Sequence, residues 1–384
     1  MKYHRTLCLV LLSIAPATGL LLAAGCSANA PKPVTTAPTA PAPAATTASG
    51  SRFVGNEACA ECHAAEFRSH KSSFHAQTAR QVQDVGNIVL PKGDLLGSKC
   101  RLQAEGESFS VSVGGALLGA ETLQYGFGSG KTGITFVSVL DKVTLFEMRA
   151  SYFPKIAQWY VTPGQKKLDV EELGFDYPPE RGRLCVTCHT TTLPENSIVP
   201  ERKFLGVGCE ACHGAGGDHI AAVKRADTAH LGMDRLNRVG GARVNTLCGR
   251  CHRTRQDVMV RSPNNIAETQ RFQTLGISQS RCFLESKDQF SCLNCHDAHS
   301  NATLDMKYYE KACLTCHGQA SAPFPKTARR VAAKPCPVSP KTGCIPCHMP
   351  ARKILPDADR SPVAVDHFIH IPPKGSRPSP YRAM

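Results

Sequence analysis

Residues 292–300 read CLNCHDAHS. Cys292 and Cys295 stand three apart, His296 follows at once, and His299 comes three residues later. The same Cys-x-x-Cys-His unit occurs at Cys59-Cys62-His63, Cys185-Cys188-His189, Cys209-Cys212-His213 and Cys248-Cys251-His252. Two more copies lie at Cys313-Cys316-His317 and Cys344-Cys347-His348, which makes seven. With 19 cysteines and 15 histidines in 384 residues, composition alone would give about 0.04 copies. The repeat organises the chain.

Three residues is nearly one helical turn, so the two thiols of each unit face the same side. They can then add to the two vinyl groups of one haem, and the adjacent imidazole meets the iron as an axial ligand. Structural zinc also uses Cys-x-x-Cys pairs, but it needs a second ligand pair and no histidine directly after each second cysteine. Seven covalently bound haem c groups are the expectation, with His63, His189, His213, His252, His296, His317 and His348 as proximal iron ligands. Outside the motifs and His4 stand seven further histidines: His70, His75, His219, His230, His299, His367 and His370. Their number permits bis-histidine ligation throughout, while Met233, Met259, Met306 and Met349 are alternative sixth ligands. In the opening stretch, His296 binds the haem of its own cysteines. His299, held beside it, is placed to reach the iron of a neighbouring haem.

The N-terminus, MKYHRTLCLVLLSIAPATGLLLAAGC (1–26), has a basic start, an apolar core and small residues before Cys26, the pattern of an export signal. LAAGC is similar to a bacterial lipobox and predicts lipidation at Cys26; cleavage after Ala28-Asn29-Ala30 is the rival. Residues 27–52 are rich in Pro, Ala and Thr, without an apolar period, and read as a disordered tether. No other stretch is long and apolar enough to span a bilayer. The expected location is the cell envelope, periplasm or outer membrane, with membrane contact through the lipid anchor only.

The formal charge of +14 is scattered along the chain and no nucleic-acid recognition module is visible. Each haem brings two propionate carboxylates, so the basic excess is matched to the cofactor. Aromatic residues make up only 6%, with Trp159 the single tryptophan. The porphyrins themselves stand in for a conventional aromatic core.

The stretch between His63 and Cys185 is too long for a connection. SFSVSV (108–113) alternates Phe109, Val111 and Val113 with serines, as a half-buried strand does. ITFVSVL and VTLFEMRA flank Asp141-Lys142 and predict a hairpin, with a turn less favourable than Asp-Gly. A small β-rich insert over 95–165 is expected. YGFGSGKTG (125–133) lacks the first glycine of a phosphate loop and precedes a strand, so it reads as a glycine-rich turn. Around the insert lie a first haem-binding segment (53–94), a six-haem domain (166–350) and a tail (351–384) wrapping it. Cys100, Cys282 and Cys336 remain outside the motifs, as one disulfide plus a thiol or as three small buried residues.

These residues resemble the multihaem c-type cytochromes, and within them the group of tetrahaem cytochrome c and hydroxylamine oxidoreductase. FVGNEACAECHAAEFRSHKSSFHAQ (53–77) is similar to that group's first-haem segment, which implies His75 as a distal ligand. CEACHGAGGDH (209–219) implies His219; SRCFLESKDQFSCLNCHDAH (280–299) and CIPCHMP (344–350) also match. VAVDHFIHIPP (363–373) favours His367 over His370, while His70 and His230 have no counterpart. The insert, with its FGSG and tryptophan–PG elements, resembles one found in the group. The resemblance implies a mainly α fold with much irregular loop, a multihaem cytochrome c fold wrapped around seven haems.

Electron transfer along a chain of mostly bis-histidine haems is the function expected. Its partners are redox proteins: a membrane quinol-linked donor and a periplasmic or outer-surface acceptor. One alternative is an oxidoreductase acting on a small nitrogen or sulfur species at one open haem; no Cys-x-x-Cys-Lys variant is present. Another is a subunit of a larger haem conduit.

Overall fold

The computed structural model describes residues 52–373, apart from 87, 106–107, 114–119, 166–171, 234, 237–238, 255–271, 287–288, 319–335, 340, 356–357 and 359–360. The expected leader, Cys26, all but the last residue of the tether, and Met259 lie outside the described residues.

The hairpin forms as its alternation requires. β6 (Ile134–Leu140) pairs antiparallel with β7 (Thr144–Phe153). Asp141 (φ 48°) and Lys142 (φ 64°) both take the left-handed backbone in the three-residue turn 141–143 that joins the Leu140–Thr144 pair. Around it grows a six-stranded sheet. β1 (Ala79–Gln81) and β5 (Tyr125–Phe127) lie on the β6 side; β8 (Gln158–Val161) and β9 (Gly174–Tyr177) both pair with β7. A second sheet joins β2 (Cys100–Glu105), β3 (Ser108–Val113) and β4 (Ala120–Leu123).

The two sheets share one apolar core. Leu102 and Val111 of the smaller sheet cluster with Phe136, Phe146, Met148, Ala150, Tyr152 and Trp159 of the larger. Phe136 is fully buried, so truncating it to Ala would cost about 3–5 kcal/mol. The indole N–H of Trp159 donates to the Val89 carbonyl at 2.8 Å. A second cluster on the larger sheet, with Tyr125, Phe127, Val137, Val139 and Leu145, packs on Val186. Val186 belongs to the helix α3 (Pro179–His189), which carries the second motif. A Cβ on Gly182 would lie 2.9 Å from the Leu145 Cβ, so this glycine lets α3 settle against β7.

Short helices carry most of the motifs: α1 (Glu57–Ala60) and α2 (Ala64–Lys71) flank the first. α3, α4 (Cys209–His213), α6 (Gly241–His252), α9 (Met306–His317) and α10 (Cys344–His348) each end on their motif histidine. α5 (Gly217–Lys224), α7 (Gln273–Ser278) and α8 (Arg281–Ser286) fill the intervals, and the fifth motif begins on a single 3-10 turn, Cys292–Asn294. In the tail, β10 (Ala351–Lys353) pairs with β11 (Val363–Val365).

The expected mainly α character does not extend to residues 79–177, where strands dominate because a long haem-free stretch must bury its own apolar side chains; helices carry most of the motif segments on either side. The sheet also recruits edge strands from beyond 95–165, β1 before it and β9 after it. Among the described residues no helix is long and apolar enough to cross a membrane.

Candidate functional site

A continuous cavity of about 4560 Å³ runs through the molecule and is lined by all seven motif histidines. That is several times the ~300–1,000 Å³ of a small-molecule site. His70, His75, His219, His299, His367 and His370 also line it. His230 does not. Its side chain is 84% exposed and its ring contacts the Asp227 carboxylate at 3.3 Å.

Within the cavity, four motif imidazoles face an imidazole from elsewhere in the chain. The ring centres are 6.4 Å apart for His63 and His219, 6.0 Å for His252 and His75, 6.1 Å for His213 and His299, and 6.2 Å for His296 and His367. A metal bonded at about 2.0–2.1 Å to one nitrogen of each ring, with each ring centre about 1.1 Å further out, gives about 6.3 Å. The donor set therefore fits an iron between each pair.

Hydrogen bonds orient these rings, as partners outside the ligand set commonly do for ligating histidines. The Nδ1–H groups donate to carbonyl oxygens: His189 to Thr78 (2.9 Å), His219 to Leu231 (2.9 Å), His348 to His370 (2.9 Å), His367 to Val365 (3.0 Å) and His370 to Phe368 (2.8 Å). His252 Nδ1 meets Gln273 Oε1 at 2.8 Å. In each case Nε2 is left to bind a metal. Burial, then the His252 ring, pushes His75 down to about 4, and burial likewise pushes His367 down to about 4. Both are neutral near pH 7, the form that coordinates iron.

His189, His317 and His348 stand outside the four pairs. Phe127 stacks on the His189 ring at 4.5 Å with the planes 6° apart. His70 is buried and hydrogen-bonds the Val207 backbone; burial, then the His299 ring, lowers its pKa.

The motif cysteines also meet across motifs. Cys59 and Cys209, Cys188 and Cys251, Cys248 and Cys292, and Cys313 and Cys344 are in side-chain contact. Cys212 feels the charge of Cys248, and Cys313 that of Cys295. No disulfide forms among the described cysteines. Cys100 is fully buried in the sheet core, whereas Cys282 and Cys336 line the cavity. Among the described residues no group of three or more His, Cys, Asp or Glu could hold a bare metal ion.

Sequence reading missed the supporting residues. Thr78 and Gln273 orient motif histidines with no local signal. Glu210, inside the third motif, accepts from the backbone N–H groups of Val54 (2.9 Å), Gly55 (2.8 Å) and Gly216 (2.7 Å), tying the first segment to α4.

Residues 157–214 match the family model described as cytochrome c554 and c-prime. That segment holds the second and third motifs. No curated protein matches the chain. Among solved structures, the outer cell wall cytochrome OcwA is similar at 13% identity, covering 83% of this chain and 79% of its own, with a TM-score of 0.43. An undecahaem cytochrome from the S-layer of Carboxydothermus ferrireducens is similar at 15% identity, covering 70% of this chain and 43% of its own, with a TM-score of 0.39. The similarity to that family covers 58 of the 384 residues, and the same Cys-x-x-Cys-His unit recurs outside it at 59–63, 248–252, 292–296, 313–317 and 344–348.

Proposed function

We propose that this chain is a seven-haem c-type cytochrome that conducts electrons in the cell envelope. The spacing of the four imidazole pairs carries the reading, because it suits six-coordinate iron that passes electrons without binding substrate. The cross-motif cysteine contacts support an order. Numbered by motif, the haems run one, three, four, five, six, seven, with haem two branching from haem four through Cys188 and Cys251. Export through the leader, lipidation at Cys26 and a tether holding the folded part off the membrane belong to the same proposal. A quinol-linked membrane donor and a periplasmic or outer-surface acceptor would be its partners. Spectra of the purified oxidised protein test it: low-spin iron dominates, and a mostly high-spin, five-coordinate population would refute it.

One observation favours a second reading. The cavity holds seven motif histidines but only six others, because His230 lies at the surface. At least one iron without a histidine as sixth ligand would suit a multihaem oxidoreductase of small nitrogen or sulfur species, or a conduit subunit completed by a neighbour. Turnover of nitrite, hydroxylamine or tetrathionate with a reduced dye separates these from pure conduction.

A further inference from the structure

Lys131 belongs to the glycine-rich turn between β5 and β6, the stretch that imitates a phosphate loop in sequence. The turn has a fixed seat. Gly128 N–H donates to the Thr78 carbonyl at 2.6 Å, and Arg80 donates to the Gly128 carbonyl at 3.1 Å. The Lys131 N–H donates to Ser129 Oγ at 3.3 Å. Gly128 has φ +106°, and a Cβ there would lie 2.3 Å from the Gly133 carbonyl oxygen. A Cβ on Gly133 would in turn press on the Phe153 ring at 3.0 Å. Bulkier residues do not fit, so the loop presents its lysine from a stable base.

The lysine reaches the cavity wall. Its Nζ lies 4.9 Å from the centre of the Phe74 ring, next in sequence to His75. Lys131 and Lys155 both line the cavity together with Phe74 and His75. Burial disfavours the ammonium, and the charged group acting on it is another cation, Lys155. A half-buried ammonium calls for an anion. Among the described residues no ion pair supplies one to Lys131. The cavity is fitted to porphyrins, and each porphyrin carries two carboxylates.

We propose that Lys131, backed by Lys155, holds a propionate carboxylate of the haem lodged at this stretch of the cavity wall, beside Phe74 and His75, and raises the reduction potential of that haem. The inference rests on the haem reading above. A fixed cation at the propionate favours the reduced state, which carries one negative charge more than the oxidised state. The glycine turn thereby gains a purpose: it places a positive charge at one point along the conducting path.

The test uses full-length, haem-loaded protein. Porphyrin mass and absorbance are compared first, because failure of the wild-type protein to load sinks the haem reading and leaves the lysine unjudged. Redox titrations followed by absorbance and electron paramagnetic resonance then compare wild type, K131M, K131R and K155M. The expected result is one haem displaced to lower potential in K131M, restored in K131R and displaced less in K155M, with the other haems unmoved. Phosphate added to the wild-type protein leaves every potential in place. The proposal is overturned if K131M moves no haem or moves all of them together. It is also overturned if the wild-type potentials track phosphate, which would make Lys131 a site for a free anion.

Discussion

His213 and His299 face one another with ring centres 6.1 Å apart and planes 8° from parallel, although 86 residues of chain separate them. One ring closes α4 and the other follows the fifth motif. An iron between them would fasten two haem segments together, the part proposed for the two closely spaced histidines of residues 296–299. H299A is expected to convert one haem from low-spin to high-spin, visible in absorbance and electron paramagnetic resonance, and to leave the rest unchanged. H230A, at the surface, alters neither spectrum. Equal effects of the two substitutions would contradict the pairing.

The His75–His252 pair differs from the other three, its planes standing at 75° where theirs lie between 8° and 30°. Each imidazole interacts with the iron d orbital perpendicular to its plane, and crossed planes bring two such orbitals close in energy. One strongly anisotropic low-spin resonance is therefore expected, and H75M abolishes that signal while the more ordinary ones persist. Retention of the signal in H75M would reassign the ligand.

Glu210 is 2% exposed and its carboxylate gathers backbone N–H groups from two segments. Hydrogen bonds to a charged acceptor contribute about 1.5–3 kcal/mol each, and orphaned buried N–H groups cost a comparable amount. E210A should destabilise the loaded protein by about 3 kcal/mol, and E210Q by about 2 kcal/mol, since the amide keeps one acceptor oxygen. Denaturant midpoints at constant haem content measure both. An unchanged midpoint in E210A would show that the first segment is held by its haem alone.

The parts of this architecture that were legible in sequence are local ones. The motifs declare themselves by spacing, and the Asp141-Lys142 hairpin by alternation on both sides of a turn. The distal expectations for His75, His219 and His367 came from resemblance and that for His299 from its place beside the fifth motif, and these four are the histidines that stand opposite motif rings. What stayed hidden is long-range. β1 has three residues and β9 four, too few to show a period, and each is a strand only because a distant partner receives it. Thr78 and Gln273 are ordinary polar residues until the fold brings them to His189 and His252. The surface position of His230 was equally unreadable, since a cavity-facing and a solvent-facing histidine look alike in a loop.

Glu147 offers a pH test. Its carboxyl is raised by burial, against the lowering effect of hydrogen bonds from Gln165 Nε2 (2.9 Å) and Tyr177 Oη (3.0 Å). A raised folded pKa means that the folded state binds the proton more tightly than the unfolded chain. The stability it contributes is full below the unfolded value of about 4.3 and is lost as pH rises through the folded value. E147Q should remove that decline, so wild type loses ground to the variant as pH rises above about 4 until Glu147 is fully ionised. Denaturation series across this range decide it; an E147Q-minus-wild-type stability that stays constant, or falls as pH rises, refutes the argument.

The tail is held on α7 and α8 by a narrow fit. A Cβ on Gly276 would sit 2.9 Å from the His367 carbonyl carbon and 2.9 Å from the Phe368 nitrogen. Beside it, the Ser280 hydroxyl accepts from Ile369 N–H at 2.8 Å and approaches the His367 carbonyl at 3.4 Å. His367 reaches the His296 ring from this seat. G276V therefore pushes the backbone of a distal ligand outward, because the atoms it meets are main chain and cannot rotate aside. The expected result is a partial high-spin population at one haem, reversed by excess imidazole, which can supply the missing nitrogen. S280A loosens the same seat through one or two hydrogen bonds, about 1 kcal/mol, and should leave the spectrum low-spin at room temperature. If G276V stays fully low-spin, the sixth ligand at His296 is not borne by the tail.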